Sequence, residues 1–301
     1  MPIAYRPARE EDLQRAGELV VGSINDLCVR HGFSPIATVR PPSFSLFFLR
    51  DDPQGLWVAQ EAGETLGFGF SWVCDDLWYL AQLFVAPGQQ AHGIGGELIE
   101  RTLRQAQTSK AATRALITFA FNTTSQGLYM RHGMFPRCPL YNVRIAREDL
   151  MGRLHGAPLR CAPIENTAAH LESLTKIDTR VLGISRRTHH QCLLSEGPAR
   201  GAMMYADDSD ECIAYAYIVD GHIGPLAVAR PALVGAAFRT ALGIASQGGS
   251  AHVSALLPGP CETALGIAVE LGMRITIPMI LMSSREFGDW SRYLPRNAGF
   301  M

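Results

Sequence analysis

The chain has 301 residues, of which 47% are hydrophobic and 18% are charged, and its 27 Lys and Arg nearly balance its 28 Asp and Glu. This length exceeds one ordinary domain and suits two. A net charge of -1 without a basic run excludes a dedicated nucleic-acid binder, and no uninterrupted apolar stretch approaches the ~18 residues that a membrane helix needs. We therefore expect a globular protein that binds neither nucleic acid nor membrane.

The first half of the sequence predicts alternating strands and helices. Acidic residues 10–12 precede an apolar helical repeat that starts at Leu13, and the turn at 61–64 separates two strand patterns, as in a hairpin. Later strands and helices are separated by glycine- and proline-containing turns. The predicted elements are a strand at 3–6, a helix from 13, strands at 56–59, 66–73 and 77–85, a helix at 96–103, a strand at 115–121 and a helix from 128 to Gly133.

The second half repeats this order after a segment without periodicity between Leu150 and Pro163. Gly133-Met134 after the last helix of the first half has a counterpart in Gly272-Met273. We predict domains at 1–150 and 151–301, each an α/β unit of the α+β type with a mixed, mostly antiparallel sheet flanked by helices. The C-terminal segment Trp290–Met301 is apolar enough that we expect it to be docked on the second domain. The second set comprises a helix at 164–174, a hairpin of 201–205 and 212–219 around 207–210, a strand at 223–228, a helix through 236–242, a strand at 251–257 and a helix at 263–271.

The cysteines and histidines predict no metal site and no disulfide framework. Seven scattered cysteines with no CxxC spacing suit reduced thiols in a cytoplasm, where we read them as packing residues. The start of the chain, with Arg6 and Pro7, lacks the apolar core of a secretory signal, so export is not expected. His189 and His190 are adjacent without ligand spacing around them, and we predict a solvated pair. The cysteines are Cys28, Cys74, Cys138, Cys161, Cys192, Cys212 and Cys261.

A glycine-rich loop between the strand ending at Val85 and the next helix is the sharpest local signal. Gly93 and Gly95 let main-chain N–H groups turn toward one point, and a helix N-terminus adds its dipole, so the loop could hold a pyrophosphate. An ordinary strand-to-helix turn is the alternative interpretation. The loop is not a Walker motif, because no Gly-Lys-Ser/Thr follows, and it lacks the G-x-G-x-x-G of a dinucleotide fold.

Several motifs in the first half resemble the GNAT superfamily of acyl-CoA-dependent N-acyltransferases. Residues 90–95, Gln-Ala-His-Gly-Ile-Gly, match its Q/R-x-x-G-x-G/A signature and follow a strand that ends Leu-Phe-Val-x-Pro. Residues 6–13 resemble its opening strand and helix, and Asn122, Ser125, Leu128-Tyr129, Gly133 and Phe135 resemble its second block, with Met134 as an extra residue. The first half is identified as a member of this superfamily.

The resemblance implies acetyl-CoA as acyl donor, no metal, and a set of site residues. An amine attacks the thioester, and the reaction passes through a tetrahedral oxyanion before a thiolate leaves. The main chain of the fourth strand would pair with pantetheine and present an N–H to the oxyanion. Tyr129 would be the general acid, since a phenol with a pKa of about 10 is protonated at neutral pH. The implied cofactor-binding residues are Leu83, Phe84, Val85, Gln90, Ala91, His92, Gly93, Ile94, Gly95, Gly96, Asn122 and Ser125.

The general base and the acceptor stay open at the sequence level. Where many family members place a Glu, this chain has Tyr79 or Ala81, so Asp75, Asp76, Tyr79, a water chain, a residue of the second half or a pre-deprotonated substrate remain. Asp26 and His31 lie where family members build acceptor contacts, and aromatic strand residues either line a pocket or fill the core. These aromatics are Trp57, Phe68, Phe70, Trp72 and Trp78.

The second half resembles the same fold with its chemistry lost. Its loop, residues 227–235, lacks paired glycines and contains Pro231, which has no N–H to donate. The positions that correspond to Asn122, Ser125 and Tyr129 are Cys261, Ala264 and Ala268. The chain thus resembles tandem GNAT proteins with one degenerate copy. The implied function is N-acetyl transfer from acetyl-CoA to the amine of a small molecule, with a non-catalytic acyl-CoA sensor as the alternative and a homodimer left open.

Overall fold

A computed structural model of the chain describes residues 2–156, 158–195, 199–206 and 210–301. Its contacts divide it into two compact units. The first unit comprises Met1–Ile117, Phe121–Phe135 and Met282–Arg285, and the second comprises Thr118–Ala120, Pro136–Leu281 and Glu286–Met301. Residues 207–209 of the predicted hairpin turn lie outside the described residues. No described helix is both long and apolar enough to cross a bilayer.

The first unit is a mostly antiparallel sheet with helices between its strands. Strands β1 to β4 are adjacent in order and antiparallel, whereas β4 and β5 are parallel because α3 carries the chain across between them. Its elements are β1 (Ala4–Pro7), α1 (Leu13–Arg30), α2 (Ser43–Asp51), β2 (Leu56–Glu61), β3 (Glu64–Cys74), β4 (Leu77–Val85), α3 (Ile94–Thr108), β5 (Thr113–Phe119) and α4 (Thr123–Arg131).

The second unit repeats this arrangement and adds a strand from earlier in the chain. Strands β7 to β10 are adjacent and antiparallel, β10 and β11 are parallel, and β6 pairs antiparallel with β11. Its elements are β6 (Phe135–Ala146), α5 (Arg147–Met151), β7 (Arg160–Pro163), α6 (Ala168–Leu182), α7 (Arg187–Ser195), β8 (Arg200–Tyr205), β9 (Cys212–Val219), β10 (His222–Val228), α8 (Val234–Ser246), β11 (His252–Pro258), α9 (Glu262–Glu270), β12 (Arg274–Ser283) and β13 (Tyr293–Leu294).

The predicted fold class is confirmed, and the internal repeat is visible in matching helix ends. Asn122 is the N-cap residue of α4 and Cys261 occupies the same position before α9. After each helix a glycine with positive φ follows, +75° at Gly133 and +79° at Gly272. The N–H of Met134 donates to the carbonyl of Tyr129, and the N–H of Met273 donates to the carbonyl of Ala268, so both helices end in the same way.

The aromatic strand residues of the first unit fill its core. Phe68, Phe70, Trp72 and Trp78 are at most 1% exposed, so they do not line an acceptor pocket. Trp57 is half-buried, and its Nε1 donates to the carbonyl of Gln54 at 3.0 Å. The core interpretation therefore holds for four of the five rings.

Residues Met282–Arg285 flank β5 within the first unit. Ser284 N–H donates to Arg114 O at 2.8 Å, and Arg285 Nε donates to Thr113 Oγ1 at 2.6 Å. Without them the outer edge of β5 would be unpaired, which promotes association between chains.

A fragment of residues 1–149 is therefore expected to aggregate or to unfold at a lower temperature than the intact chain. It lacks the flanking segment of β5, and the buried side chains of Leu140, Val143 and Ile145, which belong to the second unit, lose the rest of that unit's core. Light scattering and thermal unfolding of the fragment beside the intact chain provide the check. A monomeric fragment with the thermal midpoint of the full chain would contradict this expectation.

The prediction of a solvated histidine pair is wrong. His189 and His190 are 1% and 0% exposed in the second unit, and His190 Nε2 donates to Asp178 at 2.9 Å. His190 also hydrogen-bonds Tyr217 at 3.1 Å, and the His189 ring packs edge-on against Phe300 at 5.1 Å. The partners are distant in sequence, so the pair itself gave no sign of them.

The packing role predicted for all seven cysteines is wrong for Cys161. That thiol is exposed, Cys212 is half-buried and the other five are buried. Cys161 lies on β7, a strand at the end of the order β6-β11-β10-β9-β8-β7 in the second unit, so one side of it has no neighbouring strand in that order. Among the described residues, no group of three or more His, Cys, Asp or Glu side chains could hold a metal ion.

Stability is expected to fall below about pH 6.5. Burial lowers the pKa of His189 and of His190, so the folded chain keeps both neutral while the unfolded chain takes up protons below that pH. Burial also lowers the pKa of His222, and three such groups give a slope of up to roughly 4 kcal/mol per pH unit. Burial alone would raise the pKa of Asp178, but Arg186 and His190 lower it to about 2, so its contribution is lost between about pH 4 and pH 2.

Denaturant unfolding between pH 8 and pH 4 measures this dependence, with the exposed His155→Gln variant as the matched control. We expect the control to show the same slope as the parent chain. A free energy of unfolding that stays constant between pH 7.5 and pH 5 would show that the buried imidazoles do not control acid stability.

Candidate active site

The site predicted from the sequence lies wholly in the first unit, where β4 parts from β5. The two strands pair only from Leu77 to Tyr79, so among the described residues β5 does not pair with the rest of β4 up to Val85. Phe70 faces Gln82 and Ser71 faces Leu80, so Ala81 is the extra residue of a β-bulge. The divergence opens a gap with a main-chain edge at Leu80–Val85 that a ligand can pair with.

The glycine-rich loop continues directly from this edge into α3. Gly93 has φ +82° and is the N-cap residue of α3, with no side-chain hydrogen bond capping the helix. Ala91 also has positive φ, +67°, whereas Ile94 is buried in the core. The first N–H groups of α3 are therefore directed outward beside an exposed stretch, residues 91–93, and can bind an anion.

Gly95 is the point where the motifs meet. A Cβ placed there would lie 3.7 Å from Val85 Cγ2 and 3.7 Å from Leu128 Cδ2, so the end of β4, the start of α3 and α4 converge on it. These distances are ordinary van der Waals contacts, and Gly95 has no positive φ. The fold itself does not require glycine at this position, and a requirement for glycine would come from a ligand.

The end of α1 forms another border of the gap. Ser23 Oγ donates to the carbonyl of Val85 at 3.2 Å, and Gln90 Nε2 donates to the same carbonyl at 3.3 Å. Gln90 therefore fixes the loop to the end of β4. Ser23 is not among the residues predicted from the sequence, although a polar residue on the buried face marked by Ala16 and Val20 is a recognisable signal.

Tyr129 is 5% exposed on α4, one helical turn after Ser125. Burial raises the pKa of its phenol to about 12, against the opposing effect of a hydrogen bond with Ser125. The phenol is therefore protonated at every pH near neutrality. Asn122 Oδ1 accepts from Ser125 N–H at 3.2 Å and so caps the helix.

The candidate general bases lie away from the open part of the gap. Asp76 Oδ2 accepts a hydrogen bond from the Arg285 guanidinium, and Asp75 lies in the same turn before β4. This turn adjoins the paired end of β4, about 20 Å along the strand from Leu83 at roughly 3.3 Å per residue. Tyr79 is fully buried and stacks on Trp72 with ring centroids 4.7 Å apart. Neither arrangement brings a base to the open edge.

The two residues expected near the acceptor, Asp26 and His31, have different contacts. Asp26 forms an ion pair with Arg30 at 2.8 Å, and Arg30 Nη2 reaches Gln90 Oε1 at 3.4 Å. His31 packs at 4.9 Å against Phe121, the residue before Asn122, and Phe33 stacks on the same ring at 4.8 Å. Phe33 and Phe121 are therefore neighbours of the site that the sequence did not indicate.

Comparison with known proteins agrees with this architecture. The family model described as Acetyltransferase (GNAT) family matches residues 25–134. No curated protein matches the chain significantly by sequence.

Solved structures resemble the whole chain. A provisionally named acetyltransferase from Pyrococcus horikoshii has 16% identity, covers 99% of this chain and 96% of its own, and superposes with a TM-score of 0.78. A GCN5-related N-acetyltransferase from Sphaerobacter thermophilus has 16% identity, coverages of 96% and 98%, and a TM-score of 0.64. A tandem GNAT protein from the clavulanic acid biosynthesis pathway has 14% identity, coverages of 94% and 98%, and a TM-score of 0.64. These likenesses show the fold.

Proposed function

Since the chain has a GNAT-superfamily fold of the tandem type and residues 25–134 match the acetyltransferase family, we propose that it transfers the acetyl group of acetyl-CoA to an amine of a small molecule. The observation that carries the proposal is the convergence of the open edge of β4, the uncapped start of α3 and α4 at Gly95. In this proposal residues 1–150 form the active copy and residues 151–301 a degenerate one.

The first unit offers groups that suit each part of acetyl-CoA. The N–H groups of Ile94, Gly95 and Gly96 would bind the pyrophosphate, with Gln90, Ala91, His92 and Gly93 shaping the loop. The main chain of Leu83, Phe84 and Val85 would pair with the amides of the pantetheine arm. Asn122 and Ser125 would hold α4 beside the thioester. The thioester supplies an activated acetyl group, and no metal is needed.

Two groups of the chain would act on the reacting atoms. A main-chain N–H at the open edge of β4 would stabilise the negative charge that develops on the carbonyl oxygen. Tyr129 would donate a hydrogen bond to the departing sulfur. Since a thiol has a pKa near 8.5 and the pKa of Tyr129 is about 12, complete transfer to a free thiolate is uphill, and the donation matters while the C–S bond breaks.

A sensor that binds acyl-CoA without turnover is the second candidate. The observation that favours it is the position of Asp75 and Asp76 beside the paired end of β4, together with the burial of Tyr79. An acetyltransferase with this site takes its amine already deprotonated or passes the proton to water. Thiol release that depends on an added amine separates the two functions.

One acetyl-CoA is expected to bind per chain. In the first unit Gly93, with positive φ, is the N-cap residue and Gly95-Gly96 follow in the first turn of α3. The corresponding loop of the second unit contains Pro231, and α8 begins after Leu233 with the single glycine Gly235 in its first turn. Isothermal titration calorimetry gives the stoichiometry. A value near two, or ligand beside Arg230–Gly235 in a crystal structure, would contradict the proposed division between an active and a degenerate copy.

A further inference from the structure

Strand β10 of the second unit is the counterpart of β4. The segment Leu83-Phe84-Val85-Ala86 ends β4, and Leu226-Ala227-Val228-Ala229 ends β10. In each unit the alanine donates its N–H to the antiparallel neighbour, Ala86 to Leu66 at 2.9 Å and Ala229 to Ile213 at 2.7 Å. This shared bond fixes the correspondence between the two strand ends independently of the sequence.

Both strands also part from their parallel neighbours. Strand β10 pairs with β11 only at His222 and Ile223, just as β4 pairs with β5 over only three residues. The second unit therefore has the same kind of gap on the same side of the corresponding strand. The two gaps differ in what lies along the open edge.

In the second unit the edge is paired by a segment of the chain itself, the tail segment Trp290–Met301. Strand β13 pairs antiparallel with β10, with Leu294 opposite Leu226 and Tyr293 opposite Ala227. The N–H of Val228 donates to Arg292 O at 3.1 Å, and Arg292 Nη1 donates to Ala229 O at 2.8 Å. The residues of β10 that correspond to Leu83–Val85 thus have a peptide partner.

A buried polar cluster anchors the tail segment from α6 and α7. The guanidinium of Arg186 donates to the main-chain oxygen of Met301 and lies 5.0 Å from the ring centroid of Tyr293. Asp178, 3.0 Å from Arg186, neutralises its charge, and both are fully buried. The ring of Phe300 packs on His189. These contacts hold the tail segment near its start, at Tyr293, and at its end, at Phe300 and Met301.

The tail segment packs tightly against β10 at Gly224. A Cβ at Gly224 would lie 2.6 Å from Pro295 O and 2.7 Å from Arg296 Cα, both main-chain atoms. His222 Nε2 donates to Arg296 O on the same stretch. Glycine at position 224 is thus required both by the close approach of the tail segment and by its own φ of +147°.

We infer that the tail segment Trp290–Met301 is an intramolecular ligand that fills the cleft of the second unit along the edge that corresponds to the proposed pantetheine site of the first. The assignment of that edge to pantetheine rests on the proposed function, but the occupancy by the tail segment does not. The second copy is therefore closed by its own chain in addition to lacking the phosphate loop. Its buried cluster of Asp178, Arg186 and His189 serves this closure.

The test measures amide exchange at Val228 and trypsin cleavage at Arg292 and Arg296 in full-length protein without acyl-CoA. Gly224→Ala is designed to displace the tail segment, and Gly183→Ala is the matched control, because Gly183 also has positive φ, +76°, but a Cβ there meets nothing within 4 Å. Phe300→Ala removes the contact with His189 without altering β10. We expect the parent chain and the control to be protected, and both tail variants to exchange at Val228 at least ~10-fold faster and to be cleaved.

Phe300→Ala keeps the inference testable if Gly224→Ala does not fold. A folded Phe300→Ala variant with unchanged protection of Val228 and no cleavage at Arg292 would overturn it, as would rapid exchange at Val228 in the parent chain. Calorimetry with acetyl-CoA on the same samples separates the two proposals. Absence of binding in the parent chain would refute the proposed function and leave the exchange result standing.

Discussion

Replacing Tyr129 with phenylalanine is expected to lower kcat by roughly 10²- to 10⁴-fold and to leave the affinity for CoA nearly unchanged. The substitution keeps the ring, which is buried on α4, and removes only the phenol that would donate to the departing sulfur. Because the pKa of this phenol is about 12, it is protonated throughout the assay range. The variant should therefore lower kcat by the same factor from pH 6 to pH 9.

The loss of one buried hydroxyl also leaves Ser125 without that hydrogen bond, which costs about 1 kcal/mol of stability. Thermal unfolding of the variant measures this part separately. Tyr5→Phe is the matched control, because Tyr5 lies on β1 with its ring 4.4 Å from Arg101 and outside the proposed site. If kcat of Tyr129→Phe falls less than about threefold, the thiolate leaves without help from this residue and Tyr129 is a packing aromatic.

Replacing Gly95 with valine is expected to weaken CoA binding by at least ~100-fold. The new side chain would extend from a Cβ that already contacts Val85 and Leu128 at 3.7 Å, into the gap where the pyrophosphate approaches the main chain. Neither contact is a steric overlap, so the fold should remain cooperative. Calorimetry gives the affinity, and chemical denaturation gives the stability.

Gly17→Val is the control for this substitution. Gly17 lies on α1, and a Cβ there meets no atom within 4 Å, so the same change in a helix of the same unit tests for general effects of valine. Equal affinity of the parent chain and Gly95→Val would remove the assignment of the glycine loop as a phosphate site. A loss of cooperative unfolding would instead show that Gly95 is required for packing.

Local patterns predict much of this fold. The bounds of β4, Leu77–Val85, agree with the sequence prediction because a proline and a glycine-rich loop end an unbroken apolar run. The helices α2 and α7 are missed because their apolar residues are consecutive, 46–49 in α2 and 192–194 in α7, rather than spaced three and four apart. Strand β6 is missed because Pro136 and Pro139 argue against a strand.

The residues of the candidate site can be predicted only where they are contiguous in the chain. The loop from Gln90 to Gly96 is contiguous in the chain, so its pattern can be recognised from the order of its residues alone. The general base cannot, because a base is defined by its distance from the reacting atoms and the nearest acids in sequence, Asp75 and Asp76, lie at the other end of β4. The apolar residues of the tail segment predict that it is docked, but they do not predict its partner β10, because β13 has only two residues, too few for any periodicity.

Continuous measurement of free thiol across a panel of amines shows whether the chain is an acetyltransferase. Acetyl-, propionyl- and succinyl-CoA are each combined with small amines, amino-acid derivatives, antibiotic amines and peptide N-termini, with Tyr129→Phe as the impaired control. We expect amine-dependent thiol release that is fastest with acetyl-CoA, and a product heavier by one acetyl group. Binding of acetyl-CoA with no amine-dependent thiol release across the panel would contradict the proposed acetyl transfer and favour the non-catalytic sensor.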